Sequence, residues 1–243
     1  MNVGRDRARG LGRRVPEDWK HVEKYPYAAL ISQTVASVER TLPLLPYARV
    51  YDQGRSHGCV GYSSSWMMSI LNRRRYAPKW LWNEAKLVDP FADTNPGDQE
   101  ETTVRAAMDV LRDQGHRRVF GGRELQVRRS DGISENRWAV DVDETRTCID
   151  DGKPVVLGID WYAHFDAPEQ IGREHWIGRG KRWGRKVGGH AVCVYRASDR
   201  FDAVGIVNSW GPRYPHVLMP YDTLAQLLDQ DGEATLVTDR HPR

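Results

Sequence analysis

Cysteine is scarce: the 243-residue chain carries only Cys59, Cys148 and Cys193. That odd, sparse set excludes a disulfide framework and points to a reducing interior or a place inside an assembly. Long apolar runs are missing too, so no membrane-spanning helix is expected. The first 14 residues hold Arg5, Arg7, Arg9, Arg13 and Arg14 but none of the apolar core of a secretory signal. The expected setting is therefore cytoplasmic or virion-associated. Excess charge is lacking as well: a formal +3 is too small to imply a nucleic-acid partner by itself. His164, His175 and His216 stand at no ligand spacing from cysteines or carboxylates, and Asp98, Glu100 and Glu101 lack the calcium-loop pattern. No metal and no cofactor is expected. What the chain does have is 40% hydrophobic residues and nine tryptophans, enough for a real core in one domain or a two-lobed unit.

The informative stretch is Gln53-Gly54-Arg55-Ser56-His57-Gly58-Cys59-Val60-Gly61-Tyr62. Gly54 and Gly58 loosen a loop, and the segment from Tyr62 to Arg75, free of proline and glycine, reads as a helix ending before Pro78. Cys59 therefore opens a helix, where unpaired N–H groups and the positive end of the macrodipole favour a thiolate. Gln53, six residues upstream, offers an amide that can donate to an oxygen near the sulfur. A lone cysteine is more often a small buried hydrophobe. The odds change about 130 residues downstream. Gly188-Gly189-His190 opens a strand, and the next strand, Val204-Gly205-Ile206-Val207, ends in Asn208-Ser209-Trp210-Gly211.

This order of Gln, Cys, His and Asn, with the six-residue step from Gln53 to Cys59, resembles the papain-like cysteine peptidases, in particular their compact bacterial and phage-type members. The resemblance implies a thiol protease with a catalytic triad and an oxyanion hole. Cys59 would be the nucleophile and His190 its base and later acid. Asn208 would orient the ring, with Trp210 covering that contact. Gln53 and the Cys59 N–H would hold the oxyanion. A neighbouring imidazole and a helix N-terminus together lower a thiol from about 8.5 toward roughly 3.5 to 7.5, which predicts a resting thiolate–imidazolium pair. The substrate-binding candidates are Gly97, Gly189, Trp210 and Trp183. Two departures alter the cleft walls: Val60 stands where a tryptophan often follows the nucleophile, and Pro212 to Pro220 replaces the usual glycine-rich continuation.

Along the chain, residues 1–41 read as a basic arm and extension, and residues 42–240 as the catalytic domain. The arm is expected to be a solvated tail, or to touch an acidic protein surface, and a full-length inhibitory pro-segment is not expected. A helix is predicted over Ala28 to Leu42, a second over Lys79 to Val88, and a third over Thr102 to Gln114 with a threonine cap and Gly115 closing it. Strands are predicted over Pro154 to Tyr162, around His190, over Val204 to Val207 and at Thr235 to Thr238, with a short helix from Tyr221 to Leu228. The fold class is thus α+β. A helical lobe of about residues 50–130 precedes an antiparallel, barrel-like β lobe of about 131–240, and the resemblance places the active-site cleft between them.

Gly172 to Lys186 carries six basic residues against Glu174, with Trp176 and Trp183 interleaved. It reads either as a basic, aromatic lip on the cleft or as a solvated hairpin whose tryptophans pack inward. Single-stranded nucleic acid is a weaker rival for the same features. The expected activity is hydrolysis of peptide bonds in a peptide or protein substrate through a Cys59 thioester. The alternatives are a catalytically weak structural or interaction protein on the same scaffold, for example in a phage particle, or an amidase acting on peptidoglycan peptides.

Overall fold

The computed structural model describes residues 11–15, 37–46, 50–89, 100–180 and 182–240. The expected irregular segment up to Tyr27, most of the helix expected over Ala28 to Leu42, and Gly97 with most of its loop lie outside them. At the end of that stretch the chain is extended: Glu39–Thr41 is a strand, β1.

Three helices build the first lobe: α1 (Cys59–Asn72), α2 (Pro78–Val88) and α3 (Val104–Asp113). In α1 only Tyr62 and Leu71 escape burial, so the helix runs through the middle of the molecule. Its sequence suits that position, with apolar or small residues on every side. Trp66, Met67 and Met68 fill the core, each such side chain contributing roughly 1.5–3 kcal/mol. The helix also buries serines, whose hydroxyls need partners. Ser65 Oγ donates to the Gly61 carbonyl and meets His116 Nε2, and Ser69 Oγ donates to the Ser65 carbonyl. Proline opens α2, where a missing N–H costs nothing. Thr103 caps α3 by accepting from the Ala106 N–H. A two-stranded hairpin follows, β2 (His116–Phe120) and β3 (Arg123–Arg128).

The second lobe is a nine-stranded sheet. Its further strands are β4 (Ile133–Ala139), β5 (Val155–Tyr162), β6 (Glu169–Ile171), β7 (Glu174–Trp176), β8 (Lys186–Ser198), β9 (Ala203–Val207), β10 (Val217–Pro220) and β11 (Glu233–Asp239). The order is β4-β11-β5-β8-β9-β10-β7-β6, with β1 added on β8. Every pairing is antiparallel except β10 with β7. The sheet is open along this path and does not close on itself, so the barrel-like lobe expected from sequence is an open, mostly antiparallel sheet. Helix α4 (Val142–Asp150) was not foreseen, although its start is written in the sequence. Asp141 accepts from the Glu144 N–H while Glu144 reaches back to the Val140 N–H. Helix α5 (Tyr221–Asp229) matches the expected one.

Strand β8 is the shared element. It pairs with β5 on one side and β9 on the other, and α1 packs against it. The long apolar run of β5 and the buried centre of β8 face neighbours on both sides, which is why neither shows clean polar alternation.

Candidate active site

Cys59 is the first residue of α1, behind Gly58, whose position gives the helix no side-chain cap. The first-turn N–H groups are therefore available to an anion. Packing of α1 on β8 brings the sulfur to the residue that follows His190: the Ala191 N–H hydrogen-bonds to it. His190 is fully buried, between the edge of Trp161 (ring centroids 4.7 Å apart, planes at 72°) and the face of Trp210 (4.8 Å, 28°). Its Nε2 lies 3.0 Å from Asn208 Oδ1.

The direction of that bond follows from its surroundings. Asn208 Oδ1 also accepts from the Ser209 N–H at 2.7 Å. A backbone N–H can only donate, so the atom it meets is the amide oxygen. His190 Nε2 must then carry a hydrogen, and Nδ1 is left as the nitrogen able to take a proton. Asn208 thereby fixes both ring orientation and tautomer.

Gln53 comes from the loop before α1, and that loop is hydrogen-bonded to the motif that carries Asn208. The Gln53 N–H donates to the Ser209 carbonyl and the Gly211 N–H to the Tyr51 carbonyl, while Asp52 and Trp210 form an antiparallel bridge. Gln53 Nε2 donates a hydrogen to the Ser56 carbonyl at 2.9 Å, which fixes the amide. Residues 51–53 and 208–211 are thus one unit spanning the two lobes.

The structure departs from expectation in the cleft itself. Residues 11–15, expected in a solvated basic arm, lie inside it. The Arg13 N–H donates to the Gly189 carbonyl, the Arg14 N–H to the Thr102 carbonyl, and the Thr102 N–H to the Gly12 carbonyl. Arg13 and Thr102 form a parallel bridge. The Gly12 N–H hydrogen-bonds to the Cys59 sulfur. Gly12 must be glycine here, since a Cβ would stand 1.8 Å from the His57 carbonyl oxygen. Over the sulfur the segment presents an amide N–H, and the Gly12 carbonyl is held by the Thr102 N–H. The segment covers the Cys59 sulfur with an N–H group, which is no electrophile.

This cover corrects the expected resting ion pair. Cys59 is wholly inaccessible, and burial pushes its thiol up to about 12, against hydrogen bonds from Ala191, Gly12 and Val60 and the charge of Arg13. The helix terminus and backbone donors act in the anticipated direction, but desolvation outweighs them.

The other candidates divide. Gly189 lines the wall along which residues 11–15 run, and Trp210 stacks on the His190 ring. Trp183 is buried beside Tyr162 and Phe165, and its Nε1 hydrogen donates toward the Gly178 and Gly180 carbonyls. Its indole faces inward, as the hairpin reading of Gly172 to Lys186 describes. Thr102, Trp161, Gly12, Arg13 and Glu233 belong to the site and were missed. In the sequence Thr102 signals only a helix cap and Arg13 only a charged tail. Among the described residues no group of three histidine, cysteine or acidic side chains is placed to hold a metal, and no helix is long and apolar enough to cross a membrane.

Neither protein-family models nor curated proteins give a match to this sequence. Solved structures do. Xylellain, a cysteine protease from Xylella fastidiosa, superposes with a TM-score of 0.70 at 18% identity over 99% of this chain and 100% of that one. The chain has the papain-like cysteine protease fold. Procathepsin B S9 from Trypanosoma congolense superposes with a TM-score of 0.62 at 12% identity, covering 96% of this chain and 87% of that one. For procathepsin L 3 of Tenebrio molitor the values are 0.56 and 14%, over 95% and 76%. On this papain-like scaffold, Cys59 and His190 come from α1 and β8, the elements that pack the two lobes together.

Proposed function

We propose that the chain is a papain-like thiol protease, of the compact bacterial or phage type, that hydrolyses peptide bonds in a peptide or protein substrate. The observation that carries this reading is the oriented His190–Asn208 pair, with Ala191, the residue after His190, hydrogen-bonded to a cysteine at a helix N-terminus. Once the cleft is open, His190 Nδ1 takes the Cys59 proton and the thiolate attacks the scissile carbonyl carbon. The oxyanion forms where the Cys59 N–H and the Gln53 side-chain amide can donate to it. The C–N bond breaks as His190 returns the proton to the leaving amine. Water, deprotonated by the same nitrogen, then hydrolyses the thioester.

The occupied cleft makes the described form a latent one, with residues 11–15 as its cover. Catalysis requires that cover to leave. The catalytically weak interaction protein is the second reading, and the same observation favours it, because a cover that never leaves would leave only a scaffold.

Thiol labelling with turnover decides between them. A peptide substrate should be cleaved by a form whose Cys59 reacts with iodoacetamide, and Cys59→Ala should abolish turnover at unchanged melting temperature. Cleavage that persists in Cys59→Ala would sink the proposal.

A further inference from the structure

The β2–β3 hairpin stands outside the nine-stranded sheet that carries His190. Its outer strand is exposed along its whole length. Gly121 and Gly122, at φ 58° and 77°, close it with a two-residue turn, and Phe120 beside that turn is 79% exposed.

The charge of this region is concentrated. Arg117 and Arg118 lie on β2, Arg123 and Arg128 on β3, and Arg129 directly after it. Arg73, Arg74 and Arg75, which follow α1, run beside them. The Val119 N–H donates to the Arg75 carbonyl and the Ala77 N–H to the Arg117 carbonyl, with Tyr76 and Arg118 in an antiparallel bridge. Eight arginines thus meet two carboxylates, Glu124 and Asp131, a surplus of six in a chain whose formal charge is +3. The small total hides the patch, because the remainder is net acidic. Asp131 is buried and pairs with Arg118 and Arg74, and Glu124 lies 3.7 Å from Arg117. Arg123, Arg128 and Arg129 are exposed and make no ion pair among the described residues.

The backbone gathers these free cations. Arg123 and Arg128 are five residues apart, which in a regular strand puts them on opposite faces. The register shift between Arg117 and Val119 changes that. Arg123 pairs with Phe120 and Arg128 with His116, four apart on β2, so the two arginines share a face. By strand rise they stand about 17 Å apart, more than the roughly 12 Å width of the major groove of B-DNA, which admits a two-stranded ribbon.

We infer that the β2–β3 hairpin is a docking surface for duplex DNA, lying across the major groove with Arg123 on the phosphates of one side and Arg128 and Arg129 on those of the other. The inference is independent of the proteolytic reading. Every cation of the patch is an arginine, whose planar fork matches phosphate oxygens. Phosphate contacts carry no sequence information, so the binding is non-specific. Phe120 is the only Phe, Tyr or Trp of the hairpin, whereas a platform for single strands stacks successive bases on several rings.

The test is fluorescence anisotropy of the full chain with a labelled DNA duplex of about two helical turns and arbitrary sequence, followed as salt is raised. Neutralising three phosphates gives a slope of log affinity against log salt of about −2.7 or steeper. Arg123→Gln, Arg128→Gln and Arg129→Gln together should flatten that slope by about 2.7 and weaken binding at low salt about tenfold or more, at unchanged melting temperature. No binding at low salt overturns the inference. So does a slope that the triple variant leaves unchanged, whatever happens on replacing Arg5, Arg7 and Arg9. Binding of the matching single strand, of duplex RNA or of polyglutamate as tight as that of the DNA duplex also overturns it, the last by pointing to an acidic protein instead.

Discussion

Gly12→Ala should open the cleft. The new methyl would fall 1.8 Å from the His57 carbonyl oxygen, far inside carbon–oxygen contact, so residues 11–15 must move by more than 1 Å or leave. Such a shift breaks the three backbone hydrogen bonds that join Gly12, Arg13 and Arg14 to Thr102 and Gly189. At about 0.5–1.5 kcal/mol each, their loss is worth roughly 1.5–4.5 kcal/mol, or about 10- to 10³-fold in the open population. The assay is iodoacetamide alkylation of the full chain followed by peptide mass mapping. Cys148 and Cys193 serve as internal standards, since both are buried and unrelated to the segment. Cys59 should gain that factor in rate while the other two stay unreactive. A Cys59 rate equal to the parent's would refute the claim that the segment covers the sulfur. Equal gains at all three cysteines would mean general loosening of the fold.

Other outcomes follow from the same contacts. The covered state holds the Cys59 proton up to about pH 12, whereas an exposed thiol beside His190 releases it lower. The uncovered state thus binds fewer protons, and each pH unit above its thiol pKa should favour opening about tenfold. Stopped-flow labelling across pH 7 to 10 (about this range) would reveal that slope beyond the reagent's ordinary pH dependence. Asn208→Ala in the Gly12→Ala background should lower kcat by about 10²-fold with little change in KM, because the ring loses its fixed tautomer. Gln53→Ala should cost about 2.7–4 kcal/mol in the barrier, read as kcat at matched folded fraction, since the amide also holds the Ser56 carbonyl. His116 is a separate test of the fold: burial holds its imidazole down to about 3, so it stays neutral in the folded state. The unfolded state gains the proton first, and stability should fall as pH drops from about 6.5 toward 3. Urea melts of His116→Gln should lack part of that acid loss.

What the sequence could tell followed the range of the interactions. Cys59, His190 and Asn208 were legible because each sits in a local context that dictates its element: a glycine loop into a helix, or a strand ending in Asn-Ser-Trp-Gly. Helices α2, α3 and α5 were legible from their apolar spacing, as were the strands that carry the site. The start of α4 is equally local, but its Asp141–Glu144 capping pair stands in a charged run that hides it. Other features have no local signature. Residues 11–15 meet Thr102 and Gly189 from far along the chain, and nothing in an arginine-rich stretch says that Arg13 will bury itself against Glu233. The low reactivity of Cys59 has no local signature for the same reason. Its helix position argues for a thiolate, and only the covering segment supplies the desolvation that outweighs it. The strand at Glu39–Thr41 took the place of an expected helix end because the edge of β8 beyond β5 offers unpaired backbone groups there.

Turnover of a peptide coumarin amide by the full chain carrying Gly12→Ala, beside the same chain with Cys59→Ala added, tests the central claim most directly. The account predicts release of coumarin in the first and none in the second, at equal melting temperature. Release by both, or by neither while Cys59 is freely alkylated, would contradict it.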